Sequence, residues 1–129
     1  MIKLIRSCRK AESLITEKEY RYWLCNIPGF GAKKIAELLR QFGSAEAVWK
    51  SSDVLVAKAM EEASEERCVF RKTDAVQFFE ARRSLDHAVE SYHKLVKKGI
   101  RFITPDDSEY PVRLKSLYDM PQSLYVSTA

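Results

Sequence analysis

A mainly helical domain followed by a short β-α-β unit is the fold that this sequence predicts, on three observations. The composition, with 46% hydrophobic and 31% charged residues and only four Gly and four Pro in 129, is that of a folded, helix-leaning globular chain. Apolar residues recur at helical spacing from Tyr20 as far as Val96. After Gly99 the period changes, and Ile100 to Thr104 and Leu124 to Val126 are β-type runs.

The elements follow in order. Thr16-Glu17-Lys18-Glu19 fits a capping box, which starts a helix from about Glu17 to Asn26 with Tyr20, Trp23, Leu24 and Ile27 on one buried face. Pro28-Gly29-Phe30-Gly31 breaks it. A second helix spans Ala32 to Phe42, turning Ile35, Leu38, Leu39 and Phe42 inward, with Gly43 as a left-handed C-terminal cap. Ser44 restarts a short helix containing Val48 and Trp49, and Ser52 or Asp53 starts another through Leu55 and Met60. Glu61 to Lys72 is dense in charge and reads as a solvated helix end or loop. One long helix is expected from about Asp74 to Lys98, ended by Gly99. Pro111 to Leu117, between the two β-runs, reads as a short helix with Pro in its first turn.

A chain of this length forms one ordinary domain, or a small one plus part of another. The division expected is a helical domain over residues 1–98 and the β-α-β piece over 99–129. A two-stranded sheet with one short helix is marginal alone, so the chain is expected to end inside a second domain, with an uncovered apolar sheet face. No run approaches the roughly 20 apolar residues needed to span a bilayer, and Met1 to Lys10 lacks the apolar core of a signal peptide. A cytoplasmic protein without membrane contact is the expectation. Cys8, Cys25 and Cys68 are widely spaced, which argues against a disulfide framework or zinc site and for reduced thiols, Cys25 being a core residue.

The net charge of +4 is unevenly placed: residues 1–50 carry ten Lys/Arg against five Asp/Glu, and residues 51–129 carry twelve against thirteen. An anionic partner should therefore be sought at the first 50 residues. There, at about residues 17–42, Ile27-Pro28-Gly29-Phe30-Gly31-Ala32-Lys33-Lys34 resembles a helix-hairpin-helix motif. Gly29 and Gly31 are expected to supply positive φ and close backbone approach, and Phe30 to pin the turn to the core. The second helix offers free N–H groups with Lys33 and Lys34 in its first turn, which makes a phosphate seat. The alternative is a tight connector with two surface lysines. Ile35 stands where the motif usually has a small residue, and a bulky side chain there is expected to push the helices apart and spoil the seat.

Other candidates carry less chemistry. Asp106, Asp107 and Glu109, flanked by Pro105 and Pro111, read as turn and helix-start residues instead of metal ligands. His87 and His93, six apart on one helix, do not converge. Tyr20, Tyr22, Trp23 and Phe30 have the spacing of core residues more than of base-stacking ones. No Walker loop, dinucleotide fingerprint or metal-binding helix signature is present, so no cofactor, no catalytic residue and no enzyme activity are expected.

A longer pattern is more specific. Tyr22-Trp23-Leu24, the hairpin residues, Phe42-Gly43-Ser44, then Gly99-Ile100-Arg101-Phe102-Ile103-Thr104-Pro105-Asp106-Asp107, Tyr110-Pro111, Leu114, Pro121 and Leu124-Tyr125-Val126 together resemble the bacterial DNA processing protein A (DprA/Smf) family, over about residues 20–126. The resemblance implies a SAM-like or helix-hairpin-helix domain ahead of a Rossmann-like domain whose opening is the β-α-β piece. It also implies a recombination mediator that protects single-stranded DNA and helps load a RecA-type recombinase in natural transformation. Its partners would be single-stranded DNA, bound weakly by this region, a RecA-type recombinase, and a second copy of the full-length protein. The family continues past the second β-run with a Gly and a glycine-bearing strand-turn-helix where this chain has Ser127-Thr128-Ala129, so an excised fragment or a divergent short protein is expected. The alternative function is a SAM-like interaction or self-association module without DNA contact. An open turn beside Lys33 and Lys34 favours DNA, and one closed by Ile35 favours docking.

Overall fold

The computed structural model describes residues 15–67, 70–117 and 119–127. Among these residues, six α-helices, a 3₁₀ turn and two strands follow one another along the chain. Helix α1 (Glu17–Cys25) has the expected capping box: Thr16 Oγ1 accepts from Glu19 N at 3.3 Å, and Glu19 Oε1 accepts from Thr16 N at 2.8 Å. Helix α2 (Ala32–Phe42) ends at Gly43, whose φ of 95° is open to glycine at little cost. Ser44 Oγ accepts from Ala47 N to start α3 (Ala45–Lys50). Glu17 adds a tertiary cap, its carboxylate accepting from Ala45 N and Glu46 N at 2.8 and 3.0 Å.

Helix α4 (Asp53–Arg67) runs through much of the charged stretch expected to be a helix end or loop. Val56, Met60 and Ala63, at spacings of four and three, give it a buried stripe that the charges conceal. Ser64 Oγ then ties the exit by donating to Phe70 O at 2.6 Å and accepting from Phe70 N at 3.1 Å. Cys8 and Cys68 lie outside the described residues.

The single long helix expected over 74–98 is two, α5 (Lys72–Arg82) and α6 (Leu85–Lys97). Competition for one carbonyl accounts for the break. In a continuous helix Ala81 O accepts from Leu85 N; here it accepts from the Trp23 indole at 2.8 Å, from Ser84 N at 3.0 Å and from Ser84 Oγ at 2.9 Å. Apolar periodicity on either side does not register such a substitution.

The core lies where α1 meets the other helices. Tyr20, Trp23, Leu24, Leu38, Val48, Val56 and Phe78 are all under 2% exposed or at that limit, and Trp23 meets Phe78 edge-on with ring centroids 5.7 Å apart. Against α1 and α6 lies the pair β1 (Ile100–Ile103) and β2 (Leu124–Ser127), with Phe102 set among the rings of Tyr22, Tyr92 and Tyr125. The expected strand-helix-strand order is present, but the helix is a 3₁₀ turn (Val112–Ser116) and the strands are antiparallel, Ile100 facing Ser127 and Ile103 facing Leu124. Parallel pairing needs a crossover that returns the chain to its starting end. The intervening turn reverses it instead, so this segment is an antiparallel ribbon and not a parallel opening crossover. Its strand β1 buries Phe102 and Ile103, while β2 leaves Tyr125 and Val126 exposed.

Candidate functional site

The hairpin turn between α1 and α2 is built as the sequence suggests at its apolar positions. Ile27 and Phe30 are buried, Phe30 meeting Phe70 with centroids 6.1 Å apart, while Pro28, Gly29 and Gly31 face solvent. The two glycines differ. Gly29 has φ of 85° and needs to be glycine for that reason. Gly31 does not take the expected positive φ: it is the extended N-cap of α2 at φ −88°, and a Cβ there would meet nothing within 4 Å. Ile35 is 3% exposed and belongs to the same buried core cluster as Ile27 and Phe30 of the turn.

The two lysines part company. Lys33 is exposed at the start of α2. Lys34 folds back: its Nζ donates to Gly29 O at 3.0 Å and pairs with Asp74 Oδ2 at 2.9 Å, with the two side chains 18% and 5% exposed. Asp74 Oδ2 also accepts from Arg71 N at 2.7 Å, capping α5. The expected pair of phosphate-facing cations is thus reduced, because one of them already has a carboxylate. Sequence reasoning read Asp74 only as a helix-start residue, and no local signal marks it as the partner of a lysine on another helix.

The acidic residues of the ribbon act as tethers. Asp106 Oδ2 lies 2.5 Å from Arg21 Nη2, Asp107 pairs with Lys18, and Glu109 pairs with Arg101. Asp107 Oδ2 also accepts from Thr104 N at 2.7 Å, consistent with its reading as a turn residue. Burial raises the Asp107 carboxyl, but hydrogen bonds from Lys18 and Thr104 and the Lys18 charge outweigh it, and its pKa lies below the ordinary value of 3.8.

His93 Nε2 contacts the buried Glu19 carboxylate, whereas His87 faces a groove beside α1 and α5. Among the described residues, no three His, Cys, Asp or Glu side chains are grouped so as to hold a metal ion. Tyr20, Trp23 and Phe30 are core, and Tyr22 is half-buried between Tyr92 and Phe102. Cys25 is half-buried, its Sγ donating to Gln122 O at 3.8 Å; burial pushes the thiol from 9.0 up to about 11, against smaller opposing effects of Arg21 and Ser123. No helix among the described residues is long and apolar enough to cross a membrane.

In comparison with known proteins, the chain has no significant match to a family model, a curated protein or a solved structure.

Proposed function

We propose that the chain is a region of a DprA-like DNA-processing protein that handles single-stranded DNA in recombination and natural transformation, with a RecA-type recombinase as the downstream partner. The observation that carries a DNA contact is the exposure of Pro28, Gly29 and Gly31 leading into α2, with Lys33 exposed beside the first-turn N–H groups. Family resemblance at Phe102, Ile103, Thr104 and Tyr110 supports the reading, since these four are buried joints of the ribbon and not replaceable surface. Contact of this kind is weak, blind to sequence and salt-sensitive, because phosphates supply all of it.

The test is fluorescence anisotropy with a labelled oligothymidine at about 50 and about 200 mM salt, for the chain and for Lys33→Ala. A micromolar or weaker affinity is expected. Its salt slope should shrink in the variant by about 0.7, one single-strand phosphate contact. Equal slopes would make the turn a connector.

The second reading is a docking module without DNA contact. Neutralisation of Lys34 by Asp74 favours it, as do the exposed apolar side chains of Val112, Tyr125 and Val126 around the ribbon. Under this reading the oligonucleotide does not bind, and the ribbon face becomes protected from labelling when the partner is added.

A further inference from the structure

A groove of about 370 Å³ opens between the end of α1, the hairpin turn, α5 and the first half of α6. Its floor is apolar, formed by the buried Trp23, Ile27 and Ala81. The polar atom of Trp23 is already spent on Ala81 O at 2.8 Å, which leaves the floor with little to offer a polar ligand. Around the rim stand Gln77, Glu80, His87 and Ser91, and among the described residues none of these side chains has a hydrogen-bond or ionic partner. An apolar floor with several convergent, unused polar groups is the usual form of a binding site, and the volume suits two or three side chains.

Charge selects the occupant. Among the described residues neither Lys nor Arg lines the groove, and Glu80 supplies its carboxylate. Phosphate is repelled by such a rim, whereas an ammonium or guanidinium gains an ion pair. We propose that this groove binds a short peptide segment of a protein partner, with an apolar side chain seated on Trp23 and Ile27 and an adjacent Lys or Arg held by Glu80. This site borders the hairpin turn, sharing Ile27 and Pro28 with it, but its polar rim lies on α5 and α6 and it does not depend on DNA binding at the turn.

Two-dimensional ¹⁵N–¹H NMR of the whole chain tests it, with acetyl-leucyl-arginine amide as probe and acetyl-leucyl-glutamate amide as control. Saturable shifts are expected at the amides of Gln77, Glu80, His87 and Ser91, with a dissociation constant on the order of 1 mM or tighter. Glu80→Gln should weaken binding roughly two- to fivefold while the rest of the spectrum stays in place. Ser91→Trp, which fills the groove, should abolish the shifts. The proposal is overturned by shifts that fail to saturate, by equal binding of the glutamate dipeptide, or by an unchanged affinity in Glu80→Gln. An oligothymidine titration followed on the same amides separates this site from the turn: shifts confined to Gly31 to Lys33 support the separation, and shifts centred on Glu80 overturn it.

Discussion

Lys34 and Asp74 join the first turns of two helices, α2 and α5, through an ion pair of 2.9 Å that also holds the Gly29 carbonyl of the hairpin turn. Removing the lysine leaves a carboxylate that is 5% exposed with Arg71 N as its remaining described partner. Lys34→Ala should therefore cost about 1–3 kcal/mol, while Lys33→Ala on the exposed side stays within about 0.5 kcal/mol. Urea denaturation midpoints compare the two. Equal and small effects would show that the pair does not hold the turn.

Phe102 fastens the ribbon to the helices through the rings of Tyr22 and Tyr92, at 5.4 and 6.2 Å between centroids. Phe102→Ala should cost about 3 kcal/mol or more, concentrated in the ribbon. Amide exchange of residues 100–127 should then accelerate more than that of residues 17–42. A uniform acceleration would mean that helices and ribbon open as one unit, with no boundary at residue 98.

Acid should release the same ribbon. A carboxyl depressed in the folded state contributes stability that is present above its unfolded value of 3.8 and is lost as pH falls through the lower folded value. Between about pH 5 and about pH 2 the chain should lose protection near Thr104 and Asp107, and Asp107→Asn, which lacks that titration, should converge with it at the acid end. Parallel curves across the whole range would remove Asp107 as the titrating tether.

Cys25 should alkylate slowly. With its thiol pushed up to about 11, the reactive thiolate is scarce at neutral pH. Iodoacetamide at about pH 8, followed by peptide mass spectrometry, should modify Cys25 on the order of 100-fold more slowly than in the urea-unfolded chain. Comparable rates in the two states would contradict its burial.

What the sequence determined by itself is what local chemistry determines. Thr16 and Glu19 start α1, Gly43 stops α2, Ser44 starts α3, and the Pro28 to Gly31 turn sits where its residue types require, because each signal acts within about four residues of the chain. The hairpin was legible for the same reason, down to the buried Ile27 and Phe30. Everything that depends on a partner far along the chain was decided only by packing. Trp23 takes the Ala81 carbonyl and splits one expected helix into two; Asp74 claims Lys34, one of the two lysines expected to face phosphate. The ribbon runs antiparallel because the described residues between its strands fold into turns and one 3₁₀ segment instead of a helix that carries the chain back over the sheet, an outcome that neither β-run encodes.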